Sequence, residues 1–136
     1  MNLEQWRHYV RARLFQLVRR PERALEEYRA ALAINPRLVK GWTSIAYIHA
    51  KQGRFGESER HLLEALRLAP RDFDVLFNLG YVRNELKQHA GAVAAFREAV
   101  ELKPAVDTAW YGMGLAHAAL DLQEEDLRPG QSKPGR

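Results

Sequence analysis

The chain has 136 residues, 46% of them hydrophobic, and a formal net charge of +4. This length and composition fit one domain with a continuous core. Cysteine is absent, which excludes disulfides and thiolate metal sites, and no apolar run reaches the roughly 18 residues of a membrane span. The N-terminal segment has arginines among its apolar residues, unlike the uninterrupted apolar core of a signal peptide. We therefore expect a cytoplasmic location.

Basic residues are concentrated towards the N-terminal end of the chain. Residues 1–40 contain nine Lys or Arg and four Asp or Glu, whereas residues 107–136 contain three and five. This asymmetry fits an acidic partner that docks near the N-terminus. It also fits an arginine-rich face exposed to solvent, which is the more common case.

The first two helices are predicted over residues 3–18 and from Pro21 to about Ile34. Proline is favoured in the first turn of a helix. The second helix ends at Asn35-Pro36, because a residue that precedes proline is pushed out of helical geometry. Helical spacing in the first helix predicts one apolar face. That face consists of Leu3, Trp6, Val10, Leu14 and Leu17.

Gly41 to Pro70 contains the next two predicted helices, separated by Gly53. Glycine readily adopts the left-handed backbone that ends a helix. Each helix has one apolar stripe, and neither can bury its stripe alone. The first stripe consists of Trp42, Ile45, Ala46 and His49, and the second of Ser58, Leu62, Ala65, Leu66 and Ala69.

A third pair of helices is predicted near residues 73–86 and 89–102. The turn between them, Lys87-Gln88-His89, lacks the glycine that the preceding pair has. We therefore expect a slightly strained or more frayed turn at this place.

A seventh helix is predicted from Asp107 to Leu122, with Asp107 as its N-cap. Asp126 and Pro129 disfavour an eighth helix, because a proline in a helix interior costs about 3 kcal/mol. Residues 123–136 are expected to form a disordered polar tail. Some apolar side chains then lack a covering helix, and either they contact another molecule or the array of repeats once continued. These side chains are Met113, Leu115, Leu120 and Leu122.

The sequence matches itself after a shift of 34 residues. Prolines, small residues and large apolar residues recur in fixed rows at this interval. Such a period is typical of a solenoid, in which each helical hairpin packs on its neighbours. The rows include Pro36, Pro70 and Pro104; Ala31, Ala65 and Ala99; Ala24, Ser58 and Ala92; Trp42, Leu76 and Trp110; Ala46, Gly80 and Gly114; and Tyr28, Leu62 and Phe96.

These rows resemble the tetratricopeptide repeat, over roughly residues 5–122. The resemblance implies an all-α, right-handed α-solenoid of three helix hairpins (about 5–38, 39–72 and 73–106) plus a C-terminal cap helix (107–122), seven helices in all. The first repeat is atypical. Counting back from Pro36 places His8 where the family has Trp and Arg11 where it has Leu. Aligning Trp6 with Trp42 instead requires two extra residues before the turn.

We expect no active site, metal site or cofactor. His49 and His117 share a repeat position, but such positions two repeats apart lie roughly 20 Å from each other in a helix stack, too far for one metal ion. His61 and His89 lack a partner at ligand spacing. Serine is scarce, which disfavours a Ser-His-Asp arrangement. Nucleic-acid binding is disfavoured, because basic and aromatic residues alternate only near the N-terminus.

By resemblance, the first helices of tetratricopeptide repeats line a concave groove. The matching positions here are not needed to pack the hairpins, yet they hold most of the tyrosines and two asparagines. Aromatic rings with a polar tip form binding hot spots, and asparagine can both donate to and accept from a peptide backbone. We expect an extended or short helical peptide segment of another protein to bind there. The alternative is that Tyr47 and Tyr81 only stack on each other. The predicted groove residues are Arg13, Lys40, Thr43, Ser44, Tyr47, Lys51, Asp74, Phe77, Asn78, Tyr81, Asn84 and Tyr111.

One specialisation of the family holds a C-terminal carboxylate in a clamp of Lys, Asn and Arg side chains. The matching positions here include Ser44 and Asp74, and Asp74 would repel a carboxylate, so binding to heat-shock chaperone tails is disfavoured. Two other functions stay open. One is self-assembly as a homo-oligomer through residues 107–122, and the other is a secretion-type chaperone for unfolded effector segments.

Overall fold

The computed structural model describes residues 2–127, and its regular structure over that range is entirely α-helical. Consecutive helices pair as hairpins, and the hairpins stack in chain order, with a last helix packed on the third hairpin. The predicted all-α solenoid of seven helices is confirmed. The helices are α1 (Leu3–Leu17), α2 (Pro21–Ile34), α3 (Val39–Lys51), α4 (Phe55–Leu68), α5 (Phe73–Glu85), α6 (His89–Leu102) and α7 (Asp107–Leu127).

The turn inside each hairpin uses a left-handed residue at the same repeat position. Arg19, Gly53 and Lys87 have φ values of 58°, 76° and 64°. In each turn the next residue donates its N–H to a carbonyl five residues back, at 2.8 Å, which is a Schellman-type helix end. The strain predicted at Lys87 is therefore confirmed, and Arg19 shares it.

Each repeat ends just before its proline. Asn35, Ala69 and Lys103, the C-caps of the second helices, have φ values of −135°, −138° and −137°, outside helical geometry. Trp42 and Trp110 each donate their indole N–H to a proline carbonyl six residues earlier, at 2.8 Å. The 34-residue period therefore extends to individual hydrogen bonds.

Small residues of the first helices face large residues of the second helices. Phe96 on α6 is 3% exposed, and its ring lies against Gly80 of α5 and Gly112 of α7. Because neither glycine has a side chain, three helices approach one another around a single ring. Gly80, from the row of Ala or Gly seen in the sequence, therefore lies at a helix crossing, whereas on α7 the crossing is at Gly112 and not at Gly114, the row's own member.

The register of the first repeat follows the count back from Pro36. Ala12 lies 34 residues before Ala46, and both are completely or almost completely buried. His8 and Arg11, at positions where the family has apolar residues, both contact the Glu27 carboxylate, at 2.5 and 3.2 Å. An ionic cluster thus replaces an apolar contact on this outermost hairpin.

The helix predicted over residues 3–18 is present as α1, but most of its apolar stripe is not buried, and only Trp6 of the stripe packs on the core. Leu14 is 59% exposed, although Ile48 and Val82, at the same repeat position, are buried against the preceding hairpin. The first helix has no preceding hairpin in the described range, so this face meets solvent. The exposed side chains of the stripe are Leu3, Val10, Leu14 and Leu17.

The last helix is longer than predicted, since α7 continues to Leu127 instead of ending at Leu122. Residues 123–127, placed in the polar tail by the sequence, are therefore helical, and the rest of that tail lies outside the described residues. Met113 packs on the Phe96 cluster and Leu120 is half-buried, whereas Leu115 and Leu122 are exposed. No helix of the described range is long and apolar enough to cross a membrane.

Candidate functional site

An apolar pocket lies between α3, α4 and α5. Its base contains the buried residues Leu62 and Val82, and its rim contains Tyr47, Phe77 and Tyr81. The cavity volume is about 260 Å³. Pockets for drug-sized molecules usually have volumes of about 300–1,000 Å³. This cavity therefore suits one or two side chains better than a whole small molecule.

A polar pocket adjoins the apolar pocket on the N-terminal side. Arg13, Ser44 and Asp74 line it, and its cavity volume is about 500 Å³. Tyr47 and Asn78 line both pockets. The two pockets thus form one continuous surface with an apolar end and a polar end. The phenol ring of Tyr47 and the side-chain amide of Asn78 lie at the junction.

The two central tyrosines are half-exposed. Tyr47 is 51% exposed, and the Nζ of Lys51 lies 5.6 Å from its ring centroid. Tyr81 is 47% exposed, and its ring meets that of Phe55 edge to face, with 6.4 Å between centroids. Each ring therefore has a neighbour of its own and still presents a face to solvent.

Most of the groove residues predicted from the sequence line one of these two pockets. They come from three different repeats, which the stacking of the hairpins brings side by side. The residues are Arg13, Thr43, Ser44, Tyr47, Lys51, Asp74, Phe77, Asn78 and Tyr81.

Three predicted groove residues line neither pocket. The side-chain oxygen of Asn84 lies 2.5 Å from Nδ1 of His89, so it is engaged at the turn between α5 and α6. Lys40 is exposed, and its carbonyl accepts the Thr43 hydroxyl at 3.2 Å. Tyr111 on α7 is 70% exposed.

Sequence reasoning missed a second cluster of titratable side chains. His49 of α3 and His61 of α4 have ring centroids 5.3 Å apart, and the carboxylate of Glu57 lies nearby. Burial lowers the pKa of His49, and the neighbouring His61 lowers it further. The spacing of 12 residues across a hairpin turn was the only available signal, since it matches the distance between facing positions of the two helices.

Comparison with known proteins supports the architecture. Residues 43–107 match the sequence model of the tetratricopeptide repeat family. No match was found among curated proteins. Among solved structures, the Sgt2 TPR domain from Aspergillus fumigatus has 15% identity and a TM-score of 0.83, and the alignment covers 99% of this chain and 91% of that chain.

Two other solved structures are similar. The first TPR of Spaghetti (RPAP3), bound to the HSP90 peptide SRMEEVD, has 16% identity and a TM-score of 0.83, over 87% of this chain and 94% of that chain. The Arabidopsis OM64 TPR domain has 17% identity and a TM-score of 0.79, over 85% and 95%. At these identities the similarity concerns the fold alone.

The molecule is therefore an α-helical repeat solenoid whose first helices line a groove. Residues 43–107 match the family model and nearly the whole chain shares the fold, and together these findings support a tetratricopeptide repeat protein.

Proposed function

We propose that this protein is an interaction module that binds an extended or short helical peptide segment of a partner protein in its groove. The observation that supports this most is the junction of the apolar and polar pockets at Tyr47 and Asn78. A peptide has both kinds of group, apolar side chains and a polar backbone, at a regular spacing. A surface with both pockets side by side can bind both at once.

In this proposal an apolar side chain of the peptide enters the apolar pocket and packs on Phe77 and Tyr81. The Asn78 amide pairs with the peptide backbone, because it offers both a donor and an acceptor. Lys51 and Arg13, together with the exposed Lys40, set the preference for charge along the segment. One shallow groove of this size typically gives a micromolar Kd, about −8 kcal/mol.

The polar pocket fits an internal peptide segment better than a free C-terminus. Asp74 and Arg13 both line this pocket, so its charge is mixed. A terminal carboxylate would meet the Asp74 carboxylate at short range, which is unfavourable. Binding of an HSP90 peptide, as in the structure of the RPAP3 domain, is therefore not proposed for this chain.

The remaining parts of the proposal concern class and location. Tetratricopeptide domains generally act as scaffolds, and we propose binding without catalysis.

Two arginines of the basic N-terminal segment already pair with acidic neighbours, Arg7 with Glu4 and Arg11 with Glu27. This supports a solvated face over a nucleic-acid or acidic-protein dock. A cytoplasmic location, compatible with the cysteine-free sequence, also belongs to the proposal.

Self-assembly through α7 is the second candidate, and the exposed Leu115 and Leu122 favour it. However, residues 107–127 contain five Asp or Glu and no Lys or Arg. Two copies of α7 packed face to face would therefore bring like charges together. Analytical ultracentrifugation with Leu122→Lys tests this candidate, since the substitution dissociates a dimer only if α7 forms the interface. Leu120, which is half-buried, is less suitable because its loss would also disturb packing.

The groove proposal is tested with a defined peptide. A displayed library of random 12-residue peptides is selected on the immobilised protein, and the best sequence is synthesised and titrated calorimetrically. We expect a micromolar Kd that rises about tenfold or more in Tyr47→Ala, the loss typical of a hot-spot ring. Leu63→Ala, which removes a 42% exposed side chain of α4 outside both pockets, is the matched control and leaves the Kd unchanged. Equal affinity of the wild type and Tyr47→Ala would contradict the proposal.

A further inference from the structure

His49 is a buried imidazole without a hydrogen-bond partner. Its side chain is 2% exposed, and neither Nδ1 nor Nε2 has a partner. Leaving a buried polar group unpaired is unfavourable, and such groups are rare in folded proteins. The neutral ring has one nitrogen with a free lone pair, which is the form that binds a metal ion.

His61 is oriented as a metal-binding histidine usually is. Its Nδ1 lies 2.8 Å from the main-chain carbonyl oxygen of Glu57, which can only accept a hydrogen bond. The proton is therefore on Nδ1, and Nε2 has the free lone pair. Metal-bound histidines almost always donate their other ring N–H in this way, to a carbonyl or a carboxylate.

Glu57 supplies a carboxylate on the same face of α4. It precedes His61 by four residues, which is one helical turn. The carboxylate pairs with Arg60 at 2.5 Å, but both side chains are largely exposed. Exposed pairs of this kind contribute little, so the carboxylate can exchange this partner for another cation.

We propose that His49, Glu57 and His61 bind one divalent transition-metal ion of the zinc type. One possible ligand atom from each residue lies within 4.8 Å of the others. In a tetrahedral zinc site with bonds of about 2.0–2.1 Å, ligand atoms are roughly 3.4 Å apart. The separations must therefore shorten by up to about 1.4 Å, which the exposed Glu57 and the half-buried His61 can supply by changing their side-chain torsions.

The donor set determines the class of ion. Two imidazoles and one carboxylate suit Zn²⁺ and its neighbours Co²⁺ and Ni²⁺, whereas Mg²⁺ and Ca²⁺ prefer oxygen ligands throughout. Three protein ligands leave a fourth position for water. Glu57 is exposed, so the ion has a path from solvent. Arg29 and Arg54 are close enough to lower the pKa of His49, and their positive charge weakens cation binding.

The ion would join the two helices of the second hairpin. His49 belongs to α3, and the other two ligands belong to α4, on the far side of the turn at Gly53. None of the three ligands lines the apolar or the polar pocket. Metal binding would therefore stabilise the repeat that holds Tyr47 without occupying the groove, and it can be measured independently of any peptide.

Zinc titration of the full chain, free of any histidine tag, tests this proposal by calorimetry and by thermal unfolding. We expect one Zn²⁺ per chain and a rise in Tm that increases with zinc concentration, because the ion binds the folded state. His61→Gln and Glu57→Gln, each first shown by circular dichroism to be folded, lose the site and the rise in Tm. His117→Gln, at the repeat position of His49 but exposed on α7, is the matched control and keeps both. The absence of stoichiometric binding to the wild type would overturn the proposal, as would a site that persists in His61→Gln or disappears in His117→Gln.

Discussion

Gly80 and Gly114 occupy the same repeat position, yet alanine at these two places should change stability in opposite directions. A Cβ added at Gly80 would lie 2.9 Å from three atoms of the Phe96 ring. That ring is 3% exposed and is also held by Gly112, so it cannot move away. A Cβ added at Gly114 meets nothing within 4 Å, because the described chain has no second helix to pack on α7.

The expected magnitudes follow from two opposing effects. Alanine in place of glycine inside a helix gains up to about 1 kcal/mol from backbone entropy. Overpacking a close-packed core costs about 1–3 kcal/mol. Gly114→Ala should therefore raise the free energy of unfolding by about 0.5–1 kcal/mol. Gly80→Ala should lower it by about 1 kcal/mol after the two effects are combined.

Urea unfolding followed by circular dichroism measures both variants, and an unchanged m-value ensures that the same structure unfolds. Phe96→Ala provides the control for the collision. In that background the added Cβ of Gly80→Ala has room, so the substitution should become stabilising by up to about 1 kcal/mol. Equal shifts for Gly80→Ala and Gly114→Ala would refute the reasoning. So would a cost of Gly80→Ala that is unchanged without the Phe96 ring.

Three further substitutions test other parts of the fold by thermal or urea unfolding. Trp42→Ala should lower the free energy of unfolding by about 3 kcal/mol, at the lower end of the usual range because the ring is only partly buried. A loss below about 1 kcal/mol would mean that the ring does not contribute to packing. Ser58→Ala should lower the free energy of unfolding by about 1 kcal/mol, because it removes a buried hydroxyl that donates to the Ala46 carbonyl at 2.7 Å. An unchanged unfolding midpoint would show that this hydrogen bond does not stabilise the fold. Lys87→Gly should be neutral or stabilising by up to about 1 kcal/mol, since it relieves a positive φ. A clear destabilisation by Lys87→Gly would show that the lysine side chain makes a contact that stabilises the fold by more than the relief of the positive φ.

The sequence predicts the repeat architecture well because its period is strict. Each hairpin repeats the same small-to-large contacts, so the row of Ala46 and Gly80 could be recognised from its spacing alone, whereas the register that places Ala12 in this row needed the structure. The turns were predicted for the same reason. Each hairpin turn needs a residue with a left-handed backbone at one repeat position, and in the third hairpin that residue is Lys87 instead of glycine.

Periodicity identifies an apolar face but not its neighbour. The stripe of α1 through Leu14 has the same spacing as a core stripe, and only the stack shows that no helix of the described residues covers this face. The end of α7 was misplaced by five residues for a related reason. Pro129 predicts the interruption of an eighth helix, whereas α7 itself continues to Leu127, two residues before that proline.

The groove was partly predictable and the histidine cluster was not. Repeat positions place Tyr47 and Tyr81 on the same side, but the two pockets and the shared role of Asn78 depend on the actual stacking of hairpins. Neither His49 nor His61 has a second histidine on its own helix or at an equivalent repeat position within reach. Their contact crosses a hairpin turn, and spacing rules for single helices do not detect it.

The two roles assigned to aromatic side chains can be separated by measuring stability and peptide affinity on one variant, Tyr81→Ala. Tyr81 is 47% exposed, so its loss should lower the free energy of unfolding by less than about 1 kcal/mol. It should raise the Kd of the selected peptide about tenfold or more, whereas Trp42→Ala should mainly lower stability. If Tyr81→Ala unfolds as readily as Trp42→Ala, or binds the peptide as tightly as the wild type, the ring is not part of a binding groove.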